Sequence, residues 1–583
     1  MPTTFTRLPD IDDCLHKARV FLAAYGIALA LFCLSVVLAH YVVSAFQPVR
    51  WPTKTYFLVS LFLALASRKW STVFVIFCLP LLPELHLQAE QILKPAVKYF
   101  VGYAGVDVIA GFCIGQGLRS WFIDKTRSNL ANLPLLWPLG LVMLMISSSV
   151  AVAISRNVWQ SGSSFSVVDL FDSLLKFKFL ARTDNYYPVA DLIVFGVCTL
   201  FVLSLLSTLR QRPCKDELIF KPILWGLLIS ASWGIFQALT RFGLPANTYA
   251  YRPESFGFGT QGFQPDLHAF AGHMLLGAVG ILGLIRVTES SKLRNFAVFV
   301  CAICWIALIL SKSRASLMFA ILGLVIFAMW MLKNQSHHLN RRVLFIFSGI
   351  SVIISLVVAT NSHEWIFKYY ELVQKANFSK IYNSILRGDF SIFGVLNSLS
   401  SERLELHGAA LRMGFNFPLF GIGQGNFFRL SSILEFSGSP FMVNRGGENA
   451  HNYFLQTFAE VGLLGIFCFG LVFIWPVLWC AQREKLVPVI IAILSIFAGN
   501  LYSHSLVIRE NLFLLAALLA LLMSLQNTDT TNRQALIVSK RLTLQTVAMS
   551  VVVGFLLIFA SIEVKNSFNK MPFNTFYSKP KVE

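Results

Sequence analysis

The stretch Glu448-Asn449-Ala450-His451-Asn452-Tyr453-Phe454-Leu455-Gln456 runs unbroken into an apolar segment that reaches residue 480. A bilayer core is crossed by roughly 20 apolar residues in a helix, and the run exceeds that length. Its polar head holds a histidine, and an ionisable ring at the mouth of a membrane helix is a functional-site hypothesis by default. The same residues thus point to a helical membrane protein and to the end of one helix where chemistry can sit.

Outward from this segment the pattern repeats. Of 583 residues, 56% are hydrophobic and 13% charged, with a mean hydropathy of +0.66, which sets the chain in the membrane class. Apolar runs fall at 20–46, 55–67, 71–85, 98–118, 133–155, 189–209, 219–239, 267–287, 295–311, 314–332, 343–360, 452–480, 487–505, 511–525 and 543–562. The expected fold is all-α and polytopic, with about 12 to 15 transmembrane helices, because the second and third runs are short for full spans. The first 19 residues are polar and the run after them is too long for a signal-peptide core, so the first span reads as a retained anchor. Seven of the ten cysteines (Cys33, Cys78, Cys113, Cys198, Cys301, Cys304, Cys468) lie inside apolar runs, where packing rather than disulfide or metal chemistry explains them.

The net charge of +19 is explained by topology, without a nucleic-acid partner. Basic residues fill alternate loops: Arg119, Lys125 and Arg127; Arg210, Arg212 and Lys215; Arg286, Lys292 and Arg294; Lys333, Arg341 and Arg342; Arg483 and Lys485; Arg533, Lys540 and Arg541. By the positive-inside rule the loops at 240–265, 311–314 and 361–450 face outward and the N-terminus inward. Four regions follow: an N-terminal membrane region (1–249), central helices with an outer arginine turn (250–360), a large outer loop (361–450) and a C-terminal membrane region (451–583). The outer loop is expected to fold as a helical cap. Trp365, Ile366, Tyr369, Tyr370, Leu372, Val373, Ile381 and Ile385 recur at near-helical spacing, and Ser400 or Ser401 caps a further helix that Gly414 and Pro418 end. A second outer loop, 156–188, carries a helical period over 167–175 that fits an interfacial helix.

Basic residues on the outer face run against the charge rule and ask for a partner. In Ser311-Lys312-Ser313-Arg314-Ala315-Ser316, Arg314 stands at the membrane boundary, where burial without an anion costs about 2.5 to 3.5 kcal/mol. It either snorkels to lipid phosphates or clamps a diphosphate with its planar fork. Arg403 lies one turn before His407, on the same helix face, as a solvated side chain or a second anion contact. Gly421, Gly423 and Gly425 fit turn geometry or phosphate binding. Histidine is the side chain whose ordinary charge change falls near neutral pH, so His451 suits a general base, though a lone histidine also serves structure. Asn452 and Gln456 can orient it or hold hydroxyls, and Glu448 can fix its tautomer. Arg252 is a candidate phosphate or sugar contact in the loop before residue 267.

Taken together, Ser401-Glu402-Arg403 through His407, Pro418-Leu419-Phe420-Gly421-Ile422-Gly423, the His-Asn-Tyr-Phe-Leu-Gln run at 451–456 and Glu460-Val461-Gly462-Leu463-Leu464-Gly465 resemble the O-antigen ligase and polymerase superfamily. The resemblance is strongest over 250–510, with the ligase-related region at 300–480. It implies a GT-C-like integral-membrane glycosyltransferase of the bacterial inner membrane, with its site facing the periplasm. The implied donor is an undecaprenyl-diphosphate-linked glycan and the implied acceptor a hydroxyl of lipid A core or of a second lipid-linked glycan, in an inverting reaction without metal or cofactor. His451, Arg403 and Arg314 take the catalytic positions, and Arg252, Asn452, Gln456, Lys312 and His407 the substrate-binding ones. Where the family commonly has tryptophan four residues after the arginine, this chain has His407. Ligase, polymerase and protein O-oligosaccharyltransferase share this donor, and a lipid-linked glycan flippase is the alternative from another class.

Overall fold

The computed structural model describes residues 11–44, 51–82, 104–124, 135–161, 188–211, 214–240, 242–244, 260–264, 267–288, 290–311, 313–333, 403–444, 446–480, 486–501, 506 and 509–526. Among these residues the secondary structure is helical, without a strand. The long helices are α1 (Ile11–Ser44), α2 (Trp51–Ala66), α3 (Arg68–Cys78), α4 (Ala104–Phe122), α5 (Leu136–Ser161), α6 (Pro188–Gln211) and α7 (Lys221–Thr240). Next come α8 (Leu267–Leu275) and α9 (Ile281–Val287), joined through a π-helical turn at Leu276–Gly280, then α10 (Ser291–Leu310) and α11 (Arg314–Lys333). A group of short helices follows: α12 (Arg403–Asn416), α13 (Phe427–Ser431), α14 (Leu434–Ser437) and α15 (Pro440–Asn444). The described chain closes with α16 (Tyr453–Cys480), α17 (Val487–Gly499) and α18 (Arg509–Gln526).

Among the described residues, five stretches are long and apolar enough to cross a membrane: Leu15–Ser35, Leu192–Arg210, Asp216–Thr240, Ser291–Leu310 and Tyr453–Leu478. Shorter apolar helices accompany them at Thr55–Ala66, Leu136–Val152, Leu267–Gly283, Ala315–Trp330, Val487–Gly499 and Asn511–Leu525. The protein is an all-α, polytopic integral membrane protein. The runs at 343–360 and 543–562, the segment 363–386 and the helical period at 167–175 lie outside the described residues. The helices depart from the apolar runs in several places, two of them marked. Helix α1 begins at Ile11, well before its apolar run, and α16 is kinked at Gly462 rather than continuous.

Close backbone approach holds the bundle. With no hydrophobic drive between helices in lipid, small residues at crossings let dispersion contacts form. A Cβ at Gly140 on α5 would fall 1.9 Å from the Leu22 carbonyl oxygen of α1. On α4, Gly111 and Gly115 are four residues apart, and a Cβ on either would strike α2 at Phe57 or Ala64. Aromatic contacts reach further, with Trp137 of α5 set edge-to-face on Trp475 of α16 at 5.3 Å.

The two ends of the bundle differ in chemistry. At one end Arg68, buried, donates to Asp124 at 2.6 Å and Ser120 at 2.7 Å, Arg119 meets the same carboxylate at 3.3 Å, and Lys69 pairs with Glu217. Thr288, just beyond α9, donates to Asp216 at this end. Residue 268 lies 20 residues earlier on the same helical rod, about 30 Å away at helical rise, which puts the opening of α8 at the opposite end. There α8 is preceded by a pinned loop: Gln237 accepts from Gly262 N at 2.8 Å and Thr260 Oγ1 at 3.0 Å, and Gln264 donates to the Leu82 carbonyl at 2.6 Å.

At the α8 end, α12 to α15 form a small separate core. Leu406, Ala409, Ala410, Met413, Phe417 and Phe436 are buried together with Ala459 of α16. Gly414 lets α12 lie directly on the Phe458 ring, which a Cβ would approach to 2.4 Å.

Candidate functional site

The site is built on the first turn of α16. Asn452 caps the helix: its Oδ1 accepts from Phe454 N and Leu455 N, both at 3.0 Å, leaving His451 immediately outside the helix. His451 is the non-glycine residue with positive φ among the described residues, at 50°. Left-handed backbone in a bulky residue costs about 1 to 3 kcal/mol and persists where surroundings over-determine it. Here Tyr453 N donates to the Asn500 carbonyl at 3.0 Å, Ala450 N to Gln456 Oε1 at 3.4 Å, and His407 hydrogen-bonds the His451 backbone. The strain fixes the direction in which the ring leaves the chain.

Two groups flank the ring. Glu448 Oε1 lies 4.0 Å from His451 Nε2, at the margin of an ion pair, and also accepts from Asn449 N at 3.0 Å. His268, on the first turn of α8, faces it edge-to-face with ring centroids 6.2 Å apart. His268 Nδ1 is 3.4 Å from Ser313 Oγ, in the turn that opens α11 with Arg314. The structure therefore gathers three segments far apart in sequence: 267–268, 311–316 and 448–456.

Beneath them lies a hydrogen-bonded seam that positions the whole cluster. At Gly462 the backbone adopts φ 75° and ψ −173°, which breaks the α16 ladder and frees carbonyls within a membrane helix. Such groups must be satisfied internally. Ile422 N donates to the Ala459 carbonyl at 2.8 Å, Gly423 N to the Glu460 carbonyl at 3.0 Å, and Leu463 N to the Pro418 carbonyl at 2.6 Å. Ser149 of α5 shares its hydroxyl between the Phe420 and Glu460 carbonyls at 2.8 and 3.0 Å. Contact is so close that a Cβ at Gly421 would sit 2.3 Å from the Glu460 carbonyl and one at Gly462 would sit 2.3 Å from that of Leu419.

The Glu460 side chain completes the seam. It is buried, and its carboxylate accepts from Phe427 N at 3.2 Å, Gln456 Nε2 at 3.3 Å and Gln424 Nε2 at 3.1 Å. Gln456 thus links the carboxylate to Ala450 N, one residue from His451. The glycine run 421–425 acts as a backbone turn, all three glycines having positive φ.

On α12, Arg403 is half-buried and its charge reaches His407 one turn later. Burial first, and then the Arg403 charge, hold the His407 imidazole below its ordinary pKa, against the opposing effect of its bond to the His451 backbone. The His407 ring thus braces the His451 backbone.

His451, Arg403, His407, Asn452 and Gln456 converge on one end of α16, and Arg314 opens α11 next to Ser313. The Arg314 side chain, Lys312 and Arg252 lie outside what is described. Sequence reasoning missed His268 and Glu460. A signal existed for the first, since His268 stands at the mouth of an apolar run just as His451 does. For Glu460 the signal was its place at the head of the Glu460-Val461-Gly462-Leu463-Leu464-Gly465 run, which carried the resemblance without giving the acid a role.

Residues 299–470 match the family model described as O-antigen ligase, Wzy_C. That interval contains α11, the cap helices α12 to α15, His451 and the Gly462 kink. No curated protein matches the chain.

Proposed function

From a chain assigned through this domain to the O-antigen ligase and polymerase superfamily, we propose a transferase that moves a glycan from undecaprenyl diphosphate to an acceptor hydroxyl. The observation that carries this reading is His451, strained and braced, paired with the His268 ring, whose Nδ1 lies 3.4 Å from Ser313 Oγ in the turn that opens α11 at Arg314. His451 accepts the proton of the acceptor hydroxyl as that oxygen attacks the anomeric carbon. Arg314 and Arg403 bind the diphosphate and offset the charge that grows on it as the sugar–phosphate bond breaks, the electrostatic contribution that is usually largest. A single displacement of this kind inverts the anomeric centre.

Two observations support the orientation. The basic cluster of Arg68, Lys69 and Arg119 lies at the end of the bundle away from His268, in accord with a cytoplasmic basic end and a periplasmic site in the inner membrane. The cap sits on the His451 end. A lipid diphosphate is already an activated leaving group, so the reaction proceeds without a divalent metal or other cofactor. Lys312, Arg252, Asn452, Gln456 and His407 border the donor or acceptor sugar in this reading.

The preferred acceptor is lipid A core, which makes the protein an O-antigen ligase. Purified protein is mixed with lipid-linked glycan and, separately, lipid A core or a second donor molecule, and products are followed by gel and mass spectrometry. Transfer to lipid A core in excess chelator supports the ligase. Chain growth on the second donor identifies a polymerase, and turnover that requires added magnesium or manganese overturns the metal-free mechanism.

A further inference from the structure

His268 is a second imidazole that the reaction as written does not use. Its ring meets that of His451 at 84° with centroids 6.2 Å apart, an edge-to-face pairing. On its other side Nδ1 lies 3.4 Å from Ser313 Oγ, which reaches Ser316 Oγ at 3.1 Å, while Ser313 N donates to Ser311 Oγ at 3.3 Å. His268 has little room to drift, because the loop leading into α8 is pinned by Gln237 of α7 and by the Leu82 carbonyl in the segment that follows α3.

We propose that His268 is a positioning residue of the transfer reaction, holding the His451 ring in register with the serine turn that opens α11. The inference rests on the transferase reading for its catalytic consequence, but the contact itself can be tested without turnover. One side of His268 faces the base that activates the acceptor. The other touches the turn that presents Arg314 to the diphosphate. Nucleophile activation and leaving-group binding have to be aligned along one displacement axis, and a misplacement near 1 Å costs about 100-fold in rate. An imidazole wedged between the two segments sets that alignment.

Full-length protein in detergent is treated with diethyl pyrocarbonate, and carbethoxylation of His451 is timed by peptide mass spectrometry in wild type, His268→Ala, Ser313→Ala and the double variant. Loss of the ring contact should raise the His451 rate by about threefold or more, with Ser313→Ala acting in the same direction and the double variant adding little, as expected for residues acting through one contact. Glycan transfer by His268→Ala should fall about 10- to 100-fold in kcat with donor KM nearly unchanged, and His268→Gln, which can still reach Ser313, should recover part of it. If the alanine variant fails to fold, His268→Gln and Ser313→Ala carry the same comparison. An unchanged His451 rate, or additive effects of the two substitutions, would overturn the proposal. Absence of transfer by wild type, with His451 reactivity still following the variants, would instead overturn the transferase reading and leave the contact standing.

Discussion

In the bundle, α1 and α5 touch because Gly140 has no side chain to separate them, and α2 and α4 do the same at Gly111 and Gly115. In the seam under the cap, residues 418–423 and 459–463 are held by directed backbone hydrogen bonds and by one buried carboxylate with three donors. Dispersion contacts are weak singly, numerous and without direction, so a bundle can lose one and keep its geometry. Hydrogen bonds in a dry setting are directional, and losing one partner leaves another group unsatisfied. The part of the protein on which His451 stands uses the second kind of cohesion.

Substitutions in the two regions should therefore separate stability from turnover. The largest effect is expected at Gly462→Ala, where a side chain meets both a glycine-only backbone region and the Leu419 carbonyl. A loss of about 3 kcal/mol or more with abolished transfer is expected, measured by thermal unfolding in detergent alongside product formation. Wild-type turnover in that variant would break the comparison. Next is Glu460→Ala, which strands a backbone N–H and two side-chain amides at about 1 to 3 kcal/mol for each group left unsatisfied. Turnover of the folded fraction should fall with it, and Glu460→Gln should be milder.

Gly111→Ala probes the bundle. Overpacking there should cost about 1 to 3 kcal/mol, yet kcat for the protein that remains folded should match wild type, because among the described residues α2 and α4 pack mainly on each other and on α1, α3, α6 and α18. A kcat defect without a shift in unfolding temperature would show that the bundle also aligns the site.

The smallest effect concerns pH. His407 is held below its ordinary pKa in the fold, so between that depressed value and about 6.5 the unfolded chain binds the extra proton and the folded one does not. Stability should be complete above about pH 6.5 and decline as pH falls through that window. The decline should be shallower in His407→Gln, and equal slopes would mean that other groups govern the acid response.

The helical class and the apolar segments among the described residues were legible in the sequence, because membrane spans need length and apolarity, and a histidine at a helix mouth stands out against both. The kink was not. The run after Tyr453 reads as one uninterrupted span, since hydropathy records burial and not the φ of Gly462, and the pairing of 418–423 with 459–463 depends on a tertiary contact no local pattern encodes. Asn452, read as a hydroxyl ligand or ring orienter, also caps α16, a contact its sequence position did not reveal. His407 reads as a departure from a family position, while the structure shows it bracing the His451 backbone.

The central claim is that His451 performs the proton-transfer step while the seam only places it. Wild type and His451→Ala, both verified as folded by their unfolding temperatures, should be compared for binding of the undecaprenyl-diphosphate-linked glycan and for its transfer to lipid A core. The account predicts unchanged donor binding and a rate lower by about 100- to 10,000-fold. Transfer by His451→Ala at close to the wild-type rate would contradict it.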